Sequence, residues 1–217
     1  MCYTLHMKKI VVGILVVALV IGTVLYLQKK RATPQVSQIK TYRSSRLGIS
    51  FSYPPMLTAS TTDDSVRLHH DIPYTNTGAC DMMGDTTIYD RLTDFDVSIR
   101  VLPSDLTTTV KKLSPYIPDD NFVNGELVAS PGFIDTYTIG QYSGFAIYEG
   151  AEGCGQTTYY FPLADNKTLV VQKASIQALS TAIIQEARNK VLAVPGVITP
   201  EQSQVFFQNI LTSLIIQ

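Results

Sequence analysis

Leu47-Gly48-Ile49-Ser50-Phe51-Ser52-Tyr53-Pro54-Pro55 is the stretch from which the fold is read. Ile49, Phe51 and Tyr53 alternate with Ser50 and Ser52, the two-residue period of a strand with one buried face. Residues 44–48 supply the turn before it. Pro54-Pro55 ends it, because two successive prolines remove two backbone donors.

Working outward, the same alternation recurs over residues 65–68, 95–102, 132–139, 144–149, 157–162 and 168–172. Gly, Pro, Asp and Asn fall between these segments, so they read as strands joined by hairpins. Ser104 is placed to cap a short helix running through Lys112. Beyond the last strand the period changes, and residues 178–192 carry apolar side chains at helical spacing. Thr199-Pro200-Glu201-Gln202 then offers an N-cap, proline at the first helical position and a glutamine to complete a capping box. Val205, Phe206, Asn209, Ile210 and Ser213 fall on one face of the helix that follows. The fold class is α+β, an antiparallel β-sheet packed with helices, over residues 41–217.

The string L-G-I-S-F-S-Y-P-P (47–55), the central hairpins and the closing F-F-Q-N-I-L-T-S-L (206–214) together resemble the PsbP/Mog1-like family. A similar pattern is met in membrane-anchored bacterial proteins. The resemblance implies a PsbP-like α/β/α sandwich and a mainly non-catalytic role, binding partners or stabilising complexes. Met56-Leu57 stands where such domains often carry an aromatic, and the chain has no Trp.

Ahead of this domain, residues 10–27 read IVVGILVVALVIGTVLYL, without a charge. About 18 residues at 1.5 Å each span about 27 Å, close to the ~30 Å hydrocarbon core, so the segment predicts a transmembrane helix. A cleaved signal peptide fits less well, because the run is long and closes on Leu25-Tyr26-Leu27-Gln28 with no small-residue site. Residues 1–9 form a flank containing Lys8 and Lys9, and Met7 is an alternative start. Residues 28–40 open with Lys29-Lys30-Arg31 and continue as a polar tether. Residues 1–31 thus hold five cations and no acid. Residues 32–217 keep the other 12 basic residues against all 18 acids, a net charge of −6. An acidic domain repels phosphate backbones, which argues against nucleic acid, while the basic collar suits membrane lipid headgroups. Cations on both sides of the apolar run leave orientation unsettled by the positive-inside rule. The extracytoplasmic side is expected for the domain of a single-pass signal anchor of this kind.

Cys80 and Cys154 are the two cysteines of the domain, and Cys2 precedes the apolar run. Outside the cytoplasm two such cysteines predict a disulfide. Gly150 to Gly155 is glycine-rich but lacks the Gly-Lys-Ser/Thr of a phosphate loop, so it reads as a hairpin turn. His69 and His70 are adjacent, which on a strand turns them to opposite faces and away from a shared metal. They read, with Asp71, as solvated polar residues. The aspartates between Asp63 and Asp96 lack EF-hand spacing and read as a solvated acidic face. Ser143 lies in Y-S-G rather than the G-x-S-x-G of a nucleophile elbow. Asn166-Lys167-Thr168 is a formal glycosylation sequon. The tyrosines, 12 in all, suit ordinary sheet positions as well as a binding surface. No catalytic residue, cofactor or metal ligand is assigned. The function expected is that of a membrane-anchored non-catalytic extracytoplasmic domain that binds a protein partner or assists a complex. The alternative is a cell-envelope enzyme or a protein binding a small ligand or metal.

Overall fold

A computed structural model describes residues 38–78, 80 and 87–217. The elements described below all belong to one compact unit, Ile39–Gln217. In chain order the strands are β1 (Lys40–Ser44), β2 (Ile49–Tyr53), β3 (Thr58–Thr61), β4 (Val66–Asn76), β5 (Tyr89–Leu102), β6 (Phe122–Val123), β7 (Glu126–Leu127), β8 (Ile134–Ile139), β9 (Tyr142–Glu149), β10 (Gln156–Leu163), β11 (Lys167–Ala174) and β12 (Ile215–Ile216). The α-helices among the described residues are α1 (Leu106–Leu113), α2 (Gln185–Leu192) and α3 (Pro200–Thr212). The main sheet has seven strands in the order β3-β4-β5-β11-β10-β9-β8, and every pairing in it is antiparallel. β1, β2 and β12 form a second, three-stranded antiparallel sheet. The α+β class with antiparallel sheets is therefore observed.

The central strands are buried on both faces. Leu169 and Val171 of β11 and Tyr159 and Phe161 of β10 face one way, packing with Phe51 of β2 and with Phe207, Ile210 and Leu211 of α3. Val170 and Tyr160, one residue out of phase, face the other way and pack with Val110 of α1 and Leu127 of β7. Period-two geometry thus feeds two cores from one run of apolar residues. A third cluster joins Ile72 of β4 and Leu92 of β5 to Leu179 and to Val191 of α2.

Glycine matters most where a strand leaves no room. On Gly144 a Cβ would fall on the carbonyl oxygen of Tyr160 in the neighbouring strand. The β6–β7 hairpin turns on Asn124-Gly125, both with positive φ, the two-residue connection whose twist matches its strands.

Local expectations fare unevenly. The capping box of α3 is present: Thr199 accepts from the Gln202 backbone, and the Gln202 side chain accepts from the Thr199 backbone at 3.0 Å. The buried face of that helix differs from the expected one. Val205 is half exposed and Asn209 is exposed, whereas Phe207, Ile210 and Leu211 are buried. Two adjacent phenylalanines straddle the contact line, Phe207 against Tyr159 at 4.8 Å and Phe206 against Phe95 at 6.4 Å between ring centroids. The contact centre therefore lies between them rather than on the Val205 side.

Asp105, not Ser104, caps α1, its carboxylate accepting from the Thr108 backbone at 2.9 Å. Ser104 is engaged with Thr109, Oγ to Oγ1, at 2.7 Å. Residues 178–192 form no continuous helix. A 3-10 turn at Gln177–Leu179 and α2 are separated by residues 180–184, where the Ser180 hydroxyl accepts from the Ala182 backbone and so competes with helical bonding. The tether expected to run to Lys40 ends earlier, because Lys40 already pairs with Tyr53. Residues 10–27 lie outside the described residues. Among the described residues no helix is long and apolar enough to cross a membrane.

Helix-face placement has a direct check. Phe207→Ala is expected to cost about 3–5 kcal/mol of unfolding free energy, and Val205→Ala less than about 0.5 kcal/mol, both read from urea midpoints. Equal costs would put the helix in the wrong register.

Candidate functional site

β4 and β5 pair without slip from Val66↔Ile99 to His70↔Phe95, and then Asp71 pairs with Thr93. Asp94 is the residue left over, a β-bulge of the kind that re-aims a side chain. Its carboxylate is buried, with 1% of the residue exposed. Two donors hold it: the His70 ring, Nδ1 to Oδ1 at 2.7 Å, and the backbone N–H of Ile198, donating to Oδ2 at 2.7 Å. Ile198 sits just before the Thr199 cap of α3, so the bulge pins the start of that helix across 104 residues of sequence. Burial pushes the Asp94 carboxyl above its ordinary range, and the Ile198 N–H and His70 pull in the opposite direction. The solvated acidic face expected from the sequence therefore does not extend to Asp94, and His70 is largely buried beside it. A strand register that places an acid under a helix start has no signature in composition.

Beside the bulge lies a cleft of about 350 Å³, bordered by Asp94, Tyr159 and Lys173 from the sheet, Leu179 from the 3-10 turn, and Ser203 and Gln204 from α3. Lys173 Nζ donates to Gln204 Oε1 at 2.9 Å and stands 5.1 Å from the centroid of the Phe207 ring. Burial lowers the Lys173 ammonium from its ordinary range. It also pushes the Tyr159 hydroxyl up to about 12, so this tyrosine stays protonated at neutral pH.

A second hollow of about 430 Å³ adjoins it, sharing Ala174, Ser175 and Ile176 and running along β4 and β5 from Arg67 to Asn76 and Tyr89. There Arg67 is spent on a bidentate pair with Asp96, at 2.8 and 2.7 Å, and Arg91 donates to the Asp71 carbonyl at 2.8 Å. Arg67 is thus paired with a carboxylate, whereas Lys173 in the first cleft faces no paired acid among the described residues, and the first cleft is the candidate taken further.

Cys80 and Cys154 are joined as a disulfide, with Cα atoms 5.5 Å apart. Cys154 lies in the β9–β10 connection, where Gln156 pairs with Glu149, so the glycine-rich run is a hairpin turn. At Gly155 φ is +97°, and a Cβ would collide with the Glu149 carbonyl. Gly153 of the same turn borders the first cleft. The two histidines part company: His69 Nε2 lies 3.9 Å from Asp71 Oδ2, and His70 turns to Asp94. Among the described residues no group of three or more His, Cys, Asp or Glu is arranged to hold a metal ion. The Ser143 hydroxyl bonds Thr138 at 3.0 Å. Tyr142, Tyr159 and Tyr160 are buried in the sheet, whereas Tyr148 is exposed and donates to the Cys154 carbonyl at 2.9 Å. Asn166 has positive φ in the turn between β10 and β11. Neither Asp94 nor Lys173 was distinguishable in sequence, since one sits in an aspartate-rich stretch and the other is an ordinary lysine near the end of a strand.

No family model matches the chain, and no curated protein matches it in sequence.

The Asp94 tie gives a stability prediction with a pH signature. Asp94→Ala is expected to cost about 3 kcal/mol, because the Ile198 N–H and His70 lose a buried acceptor. Asp94→Asn keeps an acceptor and costs less. A carboxyl raised in the folded state binds its proton more tightly there than in the unfolded chain. Stability from this group is therefore lost as pH rises from the ordinary carboxylate value through the raised one. The asparagine variant lacks that loss, so its stability relative to wild type should rise between pH 3 and pH 7 in urea titrations. A flat or falling difference would contradict the assignment.

Proposed function

We propose that the chain is a membrane-anchored, non-catalytic module, held by residues 10–27 as a single-pass signal anchor, whose domain lies on the extracytoplasmic side and binds a protein partner or assists a complex. The observation that carries this reading is the Cys80–Cys154 disulfide, since such bonds persist in oxidising compartments. The apolar run and basic collar in the sequence support attachment to membrane lipid. α3 and the small sheet pack on one face of the main sheet, and α1 and β7 on the other. That layering supports the PsbP-like α/β/α reading. The net charge of −6 over residues 32–217 speaks against nucleic acid as a partner.

A second reading, a small-ligand binder, is favoured by the cleft at Asp94 and Lys173, because it gathers polar groups beside apolar ones in a space of ligand size.

The test is thiol trapping in native membranes, with Cys2→Ser removing the third cysteine. Cys80 and Cys154 are expected to resist a maleimide reagent until reductant is added, and reduction should lower domain stability by roughly 4 kcal/mol. Ready labelling of both thiols without reductant would refute extracytoplasmic placement. Alkaline extraction of the same membranes should leave the full chain in the pellet and release a chain lacking residues 10–27.

A further inference from the structure

We propose that the cleft beside α3 binds a small organic carboxylate, with the Lys173 ammonium as its charge partner. The inference does not depend on membrane attachment or on a protein partner, and concerns what the domain itself takes up.

The first observation is an unmatched charge. Lys173 forms no ion pair with an acid among the described residues, and its hydrogen bond to Gln204 uses one of three ammonium donors. The Phe207 ring beneath it offers a cation–π contact but no acceptor for the other two. Burial holds the Lys173 ammonium below its ordinary range.

The second observation is the locked carboxylate at the cleft wall. Asp94 borders the same cleft but forms no ion pair with Lys173, and its carboxylate is aimed at His70 and the Ile198 N–H, each at 2.7 Å. Turning toward Lys173 would strand the Ile198 N–H, so the acid stays where the bulge holds it. Among the described residues no acid is paired with this cation, and the cleft offers it to an anion from outside.

The third observation is shape and lining. A space of about 350 Å³ admits a small molecule, and Tyr159, Leu179 and Ile176 give it apolar surface beside the hydroxyls of Ser175 and Ser203. A single ammonium is a point charge, and among the described residues no arginine borders the cleft to add the bidentate fork that favours phosphate over carboxylate. One cation, two hydroxyls and an apolar wall suit a monocarboxylate with a compact apolar body.

The experiment is a chemical-shift titration of the full chain in mild detergent with benzoate, following the Ala174 and Ser203 amides. Benzamide and inorganic phosphate are titrated in parallel. Saturable shifts with benzoate, roughly tenfold weaker binding of benzamide, and roughly tenfold loss of benzoate affinity in Lys173→Gln at an unchanged melting temperature would support the proposal. Ser203→Trp fills the cleft from α3 and is expected to abolish the shifts without touching Lys173, which keeps the test decisive should Lys173→Gln fold poorly. Absence of saturation up to the solubility limit of benzoate would overturn the site. Equal binding of benzamide, or full affinity in either variant, would overturn the role of Lys173 or the location. Phosphate binding as tight as benzoate would overturn the carboxylate assignment.

Discussion

A carboxylate buried under the start of a helix is the constraint around which this domain is arranged. Asp94 costs free energy to desolvate, and that cost is offset only while His70 and the Ile198 N–H both point at it. His70 is a β4 residue, Asp94 the bulged residue of β5, and Ile198 the residue before the cap of α3. Three segments distant in sequence are thus fixed relative to one another by a single group. Losing either donor leaves a buried charge short of a partner, so the arrangement tolerates little slack.

What the tie fixes also shapes the cleft. With α3 anchored at Ile198, Gln204 and Phe207 arrive beside Lys173, one through its amide and the other through its ring. The disulfide serves the same end of the molecule from another side. It holds the 150–155 turn, whose Glu152 carbonyl accepts from Gln177 at 3.4 Å, and whose Gly153 lies against Ser180. Bulge, turn and helix start therefore converge on one region, and the polar groups gathered there have few alternative positions.

Much of the framework was legible in the sequence because burial left a period. β2, β5, β9 and β10 alternate or run apolar in ways that only a sheet explains, and Thr199-Pro200-Glu201-Gln202 declared its helix through side-chain chemistry. β1 and β3 were missed because their residues are largely exposed, so no contrast in polarity marks them. β12 has two residues, too few to carry a pattern. The Asn124-Gly125 turn is a hairpin signal in itself, but the two-residue strands it joins are too short to alternate. The site itself was out of reach for a different reason. Asp94 becomes special only through strand register, which is set by pairing with β4, and the unmatched charge of Lys173 depends on where α3 lands. Cys80 and Cys154 were the exception, since they are the two cysteines of residues 41–217 and their pairing could be expected from that count.

The central tie can be watched at a single atom. Ile198 lies outside any helix or strand, so an ordinary loop amide there would exchange with solvent nearly as fast as its neighbours. Native-state hydrogen exchange on the full chain should instead place the Ile198 amide among the slowest, with the amides of β5 and β11. Exchange of Ile198 at the rate of the preceding loop residues would show that Asp94 does not hold it, and the account of both the fold and the cleft would fail together.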